Sequence, residues 1–374
     1  MGCLDQAEKC VPKDLKMTHT PAVLIRGGTS KGLFFNQKDL PSVQEERDAF
    51  LLSVMGSPDP SHMQLNGVGG GISSTSKVAI ISPSTHPNID VDYLFGQVSL
   101  TEPKIDWEGS CGNLAAAVGL YALNSGLVKS NPNGSAKVRV WQVNLGYEIC
   151  VNIPPENISS EDLISIPGVP GLSRPIYVEF IDPSGGESLL PNNQPVHILK
   201  LPSGKTIPAT LILGANPTIF VRAMDLDFGL SGEELPDQID FQKLSPIIDC
   251  LGQKGADIMG IPYNAAVRLA WVSEPKNNNS SNASSIVSRI STEGRVHHAH
   301  TGTGAINLAC AARIPGTIPF EIIKDQNKSI NIIHPSGVMQ VDAKVICNES
   351  EKWICLSSGF VRTAKIIMKG EVYA

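Results

Sequence analysis

Cys111 stands at the head of a run of small and apolar residues, CGNLAAAVGLYAL, which ends at Leu123. Gly112 and Asn113 suit a turn and the alanines a helix, so the thiol is expected at a helix N-terminus. There the first backbone N–H groups lack intrahelical acceptors and the helix dipole is positive, which favours a thiolate. A cysteine so placed can be reactive; the plainer reading is a small buried hydrophobe.

Three other stretches carry groups that could work with it. In RGGTSKG, Arg26 to Gly32, the Arg26 guanidinium could clamp a carboxylate while Thr29 and Ser30 complete its shell, although a solvated hairpin accounts for the same residues. In NGVGGGISSTSKVAII, Asn66 to Ile81, the glycines imitate a nucleotide loop. There is no GxGxxG and no Walker lysine–serine pair, and a strand rather than a helix follows, so nucleotide binding is not expected. The stretch reads instead as hydroxyls and N–H groups leading to Lys77, with Asn66, Thr75 and Ser76 as candidate substrate ligands. An amine at the start of so apolar a strand can be partly desolvated, which suits a base; by itself it reads more readily as a strand-end surface charge. In RVHHAHTGTG, His297 and His300 have a metal-like spacing but no evident third ligand, so they are read as positioning the turn or contacting an anion. Asn216, in GANPTIF, could donate to a carboxylate or simply belong to a loop.

Together these residues describe a cleft with many anion donors, one thiol and one amine, and no cofactor motif. Proton transfer at a carbon next to carboxylates needs only that kit, because the donors stabilise enolate-like charge while a base moves the proton. No metal and no cofactor are expected.

The elements that must position these groups fill a chain of 374 residues, long enough for two lobes. Hydrophobic residues make up 41% and charged residues 18%, ordinary for a globular protein, and the net charge of −6 argues against nucleic acid as partner. The 34 glycines and 27 prolines suit many short strands joined by turns. Eight scattered cysteines without a CxxC pair suit a reducing compartment, so a cytoplasmic location is expected. No apolar run of about 18 residues offers a membrane span. The start, MGCLDQAEKC, has Gln6 where a myristoylation pattern wants Ser or Thr. The Asn-x-Ser triplets at Asn278, Asn279 and Asn282 would matter only in the secretory pathway.

Residues 1–19 read as a tail, and Glu274 to Ser285 as a polar loop. Before residue 190, helical character is confined to Ser42–Gly56 and the segment opened by Cys111; the remainder alternates strands and turns. The second half repeats the plan, with PVHILKL, IPATLILGANPTIFV, VRLAWVS, SIVSRIS, INIIHPSG, VMQVDAKVI and KWICLSSGFVR as strands around one small-residue helix, TGTGAINLACAARIPG. Cys111-Gly112-Asn113-Leu114-Ala115 aligns with Thr301-Gly302-Thr303-Gly304-Ala305, 190 residues later, about half the chain. That spacing suggests a duplicated lobe, with two helix N-termini facing one cleft as an anion site.

In this order RGGTSKG, GVGGGISSTSKVAII, VDYLFGQVSL, CGNLAAAVGLYAL, HTGTGAINLACAARIPGT and SSGFVRTAKIIMKGEV resemble the PrpF family, the 2-methylaconitate cis-trans isomerases and their relatives, from Arg26 to Val372. The resemblance implies an α+β, diaminopimelate-epimerase-like fold of two pseudo-symmetric lobes, each a β-barrel-like sheet around a central helix. The lobes are expected at 20–188 and 189–374, with the C-terminal strands free to cross back to the first. It places the family's lysine on Lys77 and its cysteine on Cys111; the two helix starts put Gly112, Asn113, Thr301, Gly302 and Thr303 forward as substrate ligands.

The implied reaction removes an allylic proton from an aconitate-like tricarboxylate and returns it after rotation or double-bond migration. Lys77 would be the moving base and Cys111 an acid, partner base or site-shaping thiol. In the epimerases and racemases of this fold a second cysteine opens the second helix; here Thr301 stands there, which disfavours a two-thiol racemase. Keto-acid tautomerisation of an oxalomesaconate-like substrate and isomerisation of an alkyl-substituted aconitate are the alternatives within the family. A non-catalytic accessory of an aconitase-like dehydratase is the alternative outside catalysis. The expected partner is a small di- or tricarboxylate, with no nucleic acid and no membrane, and a homodimer is left open.

Overall fold

Each half of the chain repeats one order of strand pairing. In the first half His19–Gly27 pairs antiparallel with Ser30–Asn36, which runs parallel to Lys77–Pro83. That strand pairs antiparallel with Val91–Val98, which runs parallel to Ala136–Gln142; Tyr147–Ile153 and Ile176–Ile181 follow, antiparallel. In the second half Thr206–Ile212 and Thr218–Arg222 are antiparallel, Arg268–Ser273 parallel, Ser285–Thr292 antiparallel and Ile330–His334 parallel, before Gly337–Cys347 and Trp353–Arg362 close the series antiparallel. The last strands of the two series, Ile176–Ile181 and Trp353–Arg362, pair with each other and join the halves. Ala364–Tyr373 then returns to His19–Gly27, so the C-terminal strand lies in the first half's sheet.

These features belong to a computed structural model that describes residues 19–227, 229–264, 266–276, 284–292, 295–326 and 329–374. Residues 1–18 of the expected tail, with its acylation-like start, and 277–283 of the polar loop, with its Asn-x-Ser triplets, lie outside the described residues.

Parallel neighbours require a crossover, and helices supply all four. The helices are α1 (Gln44–Met55), α2 (Gly112–Asn124), α3 (Phe241–Met259), α4 (Gly302–Ala311) and the short α5 (Ile318–Ile322). In each half the first crossover helix, α1 or α3, packs an apolar face on the sheet. From α1 come Phe50, Leu51, Val54 and Met55, and from α3 come Leu244, Ile247, Leu251 and Met259. The second crossover helix of each half is buried on every side: Gly112 to Ala122 of α2 and all of α4. Alanine and glycine make this possible, because a thin helix lets the sheet wrap around it.

α3 is a departure from the sequence reading, which found only strands and one helix in this half. Its apolar positions do follow helical spacing, but Pro246, Gly252 and Gly255 interrupt the pattern. The stretch IPATLILGANPTIFV also divides, into strands at 206–212 and 218–222, with Asn216 in the bend between them. Among the described residues no helix is long and apolar enough to cross a membrane.

The two central helices meet at their starts. A Cβ on Gly302 would lie 2.9 Å from Phe360 Cζ and 3.0 Å from both Asn113 N and Gly112 C; one on Gly112 would lie 3.1 Å from Thr303 N. Gly302→Ala is therefore expected to cost about 1–3 kcal/mol by overpacking. Gly370→Ala, where nothing lies within 4 Å, serves as control. Urea unfolding of the two variants checks this, and equal midpoints would contradict it.

His297, His300 and His334 are buried in the second half. Burial, with Arg362 and Arg289 nearby, lowers His300 to about 4 and His334 to about 3; burial and the neighbouring His298 push His297 well below its ordinary value. In the folded chain all three stay neutral where the unfolded chain takes up protons. Their contribution is thus intact above about pH 6.5 and is lost as pH falls from there toward 4 and then 3. A shift the size of that at His300 is worth on the order of 2 kcal/mol at pH 5. Urea titrations at pH 7 and pH 5 should show that loss, with His334→Asn reducing it, whereas an unfolding free energy unchanged between the two would refute it.

Candidate active site

Lys77 begins its strand directly opposite Gln97 in the antiparallel register, and both side chains are buried. Gln97 Nε2 donates to the carbonyls of Ser73 (3.1 Å) and Ser76 (2.9 Å). With its amide N–H groups committed, Oε1 is turned to accept from Lys77 Nζ. The amine also sits 5.1 Å from the centroid of the Phe95 ring, so it is held by an acceptor on one side and an aromatic face on another.

Cys111 reaches the same cleft from α2. It is the N-cap residue, in extended conformation, and its side chain does not cap the helix. Sγ instead donates to Ser30 Oγ at 3.6 Å, across to the first hairpin. The leading N–H groups of α2 therefore keep their capacity to bind an anion. Thr301, at the equivalent place on α4, behaves differently: its Oγ1 accepts from Gly304 N at 3.1 Å and caps the helix. The two halves thus present one thiol and one capping hydroxyl, which is a chemical asymmetry within a symmetric frame.

Other polar groups close the cleft. His297 Nδ1 accepts from Ala299 N at 3.0 Å, so the neutral ring carries its hydrogen on Nε2 and is a donor there. Asn216 is buried, its Nδ2 donating to Ala266 O at 3.5 Å while Oδ1 has no hydrogen-bond partner. Ser73, Ser74, Ser110 and the half-buried Arg268 complete the donor set, and Asp106 is an acidic group in the wall. The space among them is about 610 Å³, part of it open to solvent. Among the described residues no group of three or more His, Cys, Asp or Glu side chains is placed to hold a metal ion.

Of the residues singled out from sequence, the cleft gathers Ser30, Lys77, Cys111, Gly112, Asn113, Asn216, Thr301, Gly302 and Thr303. Five others lie elsewhere. Arg26 donates to Gly28 O, Thr363 O and Thr363 Oγ1, so it pins the diglycine turn to the C-terminal strands and does not face the cleft. Thr29 lines a different cavity. Asn66 is on an exposed loop. Thr75 Oγ1 turns back to Ile72 O at 3.2 Å, and Ser76 is spent between Gln64 and Val98. The single helical turn Ser73–Thr75 explains the slip: it presents Ser73 and Ser74 to the cleft and rotates the next two residues away. Gln97, Ser110 and Arg268 are cleft groups that residue reading did not assign, while His297, read as positioning the turn or contacting an anion, lies in the cleft wall. Gln97 could have been found as one of two polar side chains, with Asp92, in a largely apolar strand.

The PrpF protein family model matches residues 17–374. A 2-methyl-aconitate isomerase of Shewanella oneidensis is 36% identical, with 98% of each chain covered. The crystal structure of a methylitaconate-delta-isomerase shares 32% identity and a TM-score of 0.73, covering 96% of each chain. A hydroxyproline epimerase from Agrobacterium vitis, at 12% identity, TM-score 0.59 and coverage of 95% of this chain and 92% of its own, shares the fold alone. The mixed α+β fold is accordingly the one common to PrpF proteins and the proline-racemase-like epimerases. On a match spanning almost the whole sequence, the chain belongs to the PrpF family and is an isomerase.

Proposed function

We propose that this isomerase acts on an aconitate-type di- or tricarboxylate, moving one allylic proton without a cofactor, with Lys77 as base and Cys111 as its acid or partner. The observation that carries the reading is the meeting of Lys77, at the start of a strand, and Cys111, at the start of α2, in one cleft floored by two helix N-termini. The named activities of the similar 2-methyl-aconitate isomerase and methylitaconate-delta-isomerase support the substrate class.

In this reading neutral Lys77 takes the proton from the carbon next to the double bond. The C–H electron pair spreads over the allyl system into the adjoining carboxylate. The added charge falls where the N–H groups of Gly112, Asn113, Gly302 and Thr303 and the donors Arg268 and His297 can offset it. Return of the proton to the same carbon after rotation gives the cis-trans isomer; delivery to the far allylic carbon shifts the double bond. With one N–H directed to Gln97 Oε1, a neutral amine can turn its lone pair toward substrate.

Proton NMR with cis-aconitate, trans-aconitate and 2-methyl-cis-aconitate tests the reading. The wild type should convert at least one, and both Lys77→Ala and Cys111→Ser should lose about 10²–10⁴-fold in turnover. Failure to convert any of them, with conversion of an oxalomesaconate-like keto acid instead, would favour tautomerisation. Gln97→Leu should lower kcat roughly 10–100-fold with KM little changed, because it misdirects the base without touching substrate. Arg268→Gln should do the reverse, raising KM about tenfold through loss of a charge-assisted carboxylate contact. Equal effects of these two substitutions on kcat and KM would contradict the assigned division of roles.

A further inference from the structure

A second cavity, with about 730 Å³ of space including its mouth, shares no lining residue with the cleft. Arg362 forms part of its wall and is only 6% exposed. Its Nε donates to Asn113 Oδ1 at 2.7 Å, one terminal nitrogen donates to Val361 O at 2.9 Å, and the other contacts Met339 Sδ. The guanidinium carbon lies 4.4 Å from the centroid of the Phe360 ring. Among the described residues it forms no ion pair with a carboxylate. A buried cation without a counter-charge is costly; burial lowers this one to about 9.

His334 adds a donor to the same cavity. His334 Nδ1 accepts from Ser336 N at 3.3 Å, so the neutral ring keeps its hydrogen on Nε2. Much of the remaining wall is apolar, with Met339 and Phe360 beside the guanidinium. Asp342 adds an exposed carboxylate at the wall.

We propose that this cavity binds a short-chain monocarboxylate, its carboxylate held by Arg362 and His334 and its alkyl chain against Met339 and Phe360. The ligand differs from that of the cleft, since one buried cation against a largely apolar wall suits a single carboxylate. Occupancy also reaches the cleft's border, because the guanidinium that would hold the ligand is the one that orients Asn113.

The test is histidine-selective ¹H–¹⁵N NMR of the whole chain titrated with sodium butyrate at constant ionic strength. His334 reports this cavity and His297 the cleft. The His334 signal should shift saturably, with half-saturation on the order of 1 mM or below. Val338→Trp, which fills the cavity from its half-exposed rim, should abolish binding while leaving the buried Arg362 undisturbed. A shift confined to His297, no saturable shift at His334, or unchanged affinity in Val338→Trp would overturn the proposal.

Discussion

The close approach of the starts of α2 and α4 is the constraint on which the rest of the structure depends. Gly112 and Gly302 have no side chains because each faces the backbone of the other helix. Two helix N-termini carry like partial charges and unmatched N–H groups, an arrangement that is unfavourable until something negative lies in front of them. That cost falls at the junction of the two halves, and an anion bound there would offset it. A cleft built this way binds negative charge with backbone groups fixed by the fold, and little has to move when charge increases during a reaction.

Several features that look like candidate ligands are supports for that junction. Gly27 lies so near α2 that a Cβ would stand 2.7 Å from Asn113 O, and Gly28 has a φ of +53°, a conformation that suits glycine. Arg26 ties this turn to Thr363, and Arg362, the residue before it, fixes Asn113 from the other direction. Asn113 in turn donates to His300 O at 3.4 Å, across to the segment leading into α4. The strongly polar RGGTSKG motif therefore contributes chiefly by holding the helix start in register, with Ser30 alone reaching the cleft.

How much was legible beforehand follows from the same geometry. The matched pair Cys111 and Thr301 was visible because a helix start demands small residues and a cap, and those demands leave a local signature in sequence. The pairing order of the two halves agrees with the duplication inferred from it. Lys77 was visible as a charge on an apolar strand. Arg268 was not singled out, since its approach to the cleft depends on a parallel pairing with Thr218–Arg222 that no local pattern encodes. The serine run misled by phase: one turn of helix before the strand decides which hydroxyls face inward. Arg26 misled because an arginine bound to backbone carbonyls and one poised for a carboxylate have the same sequence.

The central claim is that Lys77 removes a proton from the substrate's allylic carbon. It is tested most directly by the isotope content of substrate recovered early from a reaction in D₂O, analysed by mass spectrometry. The account predicts that the wild type places deuterium at the allylic carbon of unconverted substrate or of product, and that Lys77→Ala places none. Isomerisation that retains the original hydrogen at every turnover, or deuterium uptake that persists in Lys77→Ala, would contradict it.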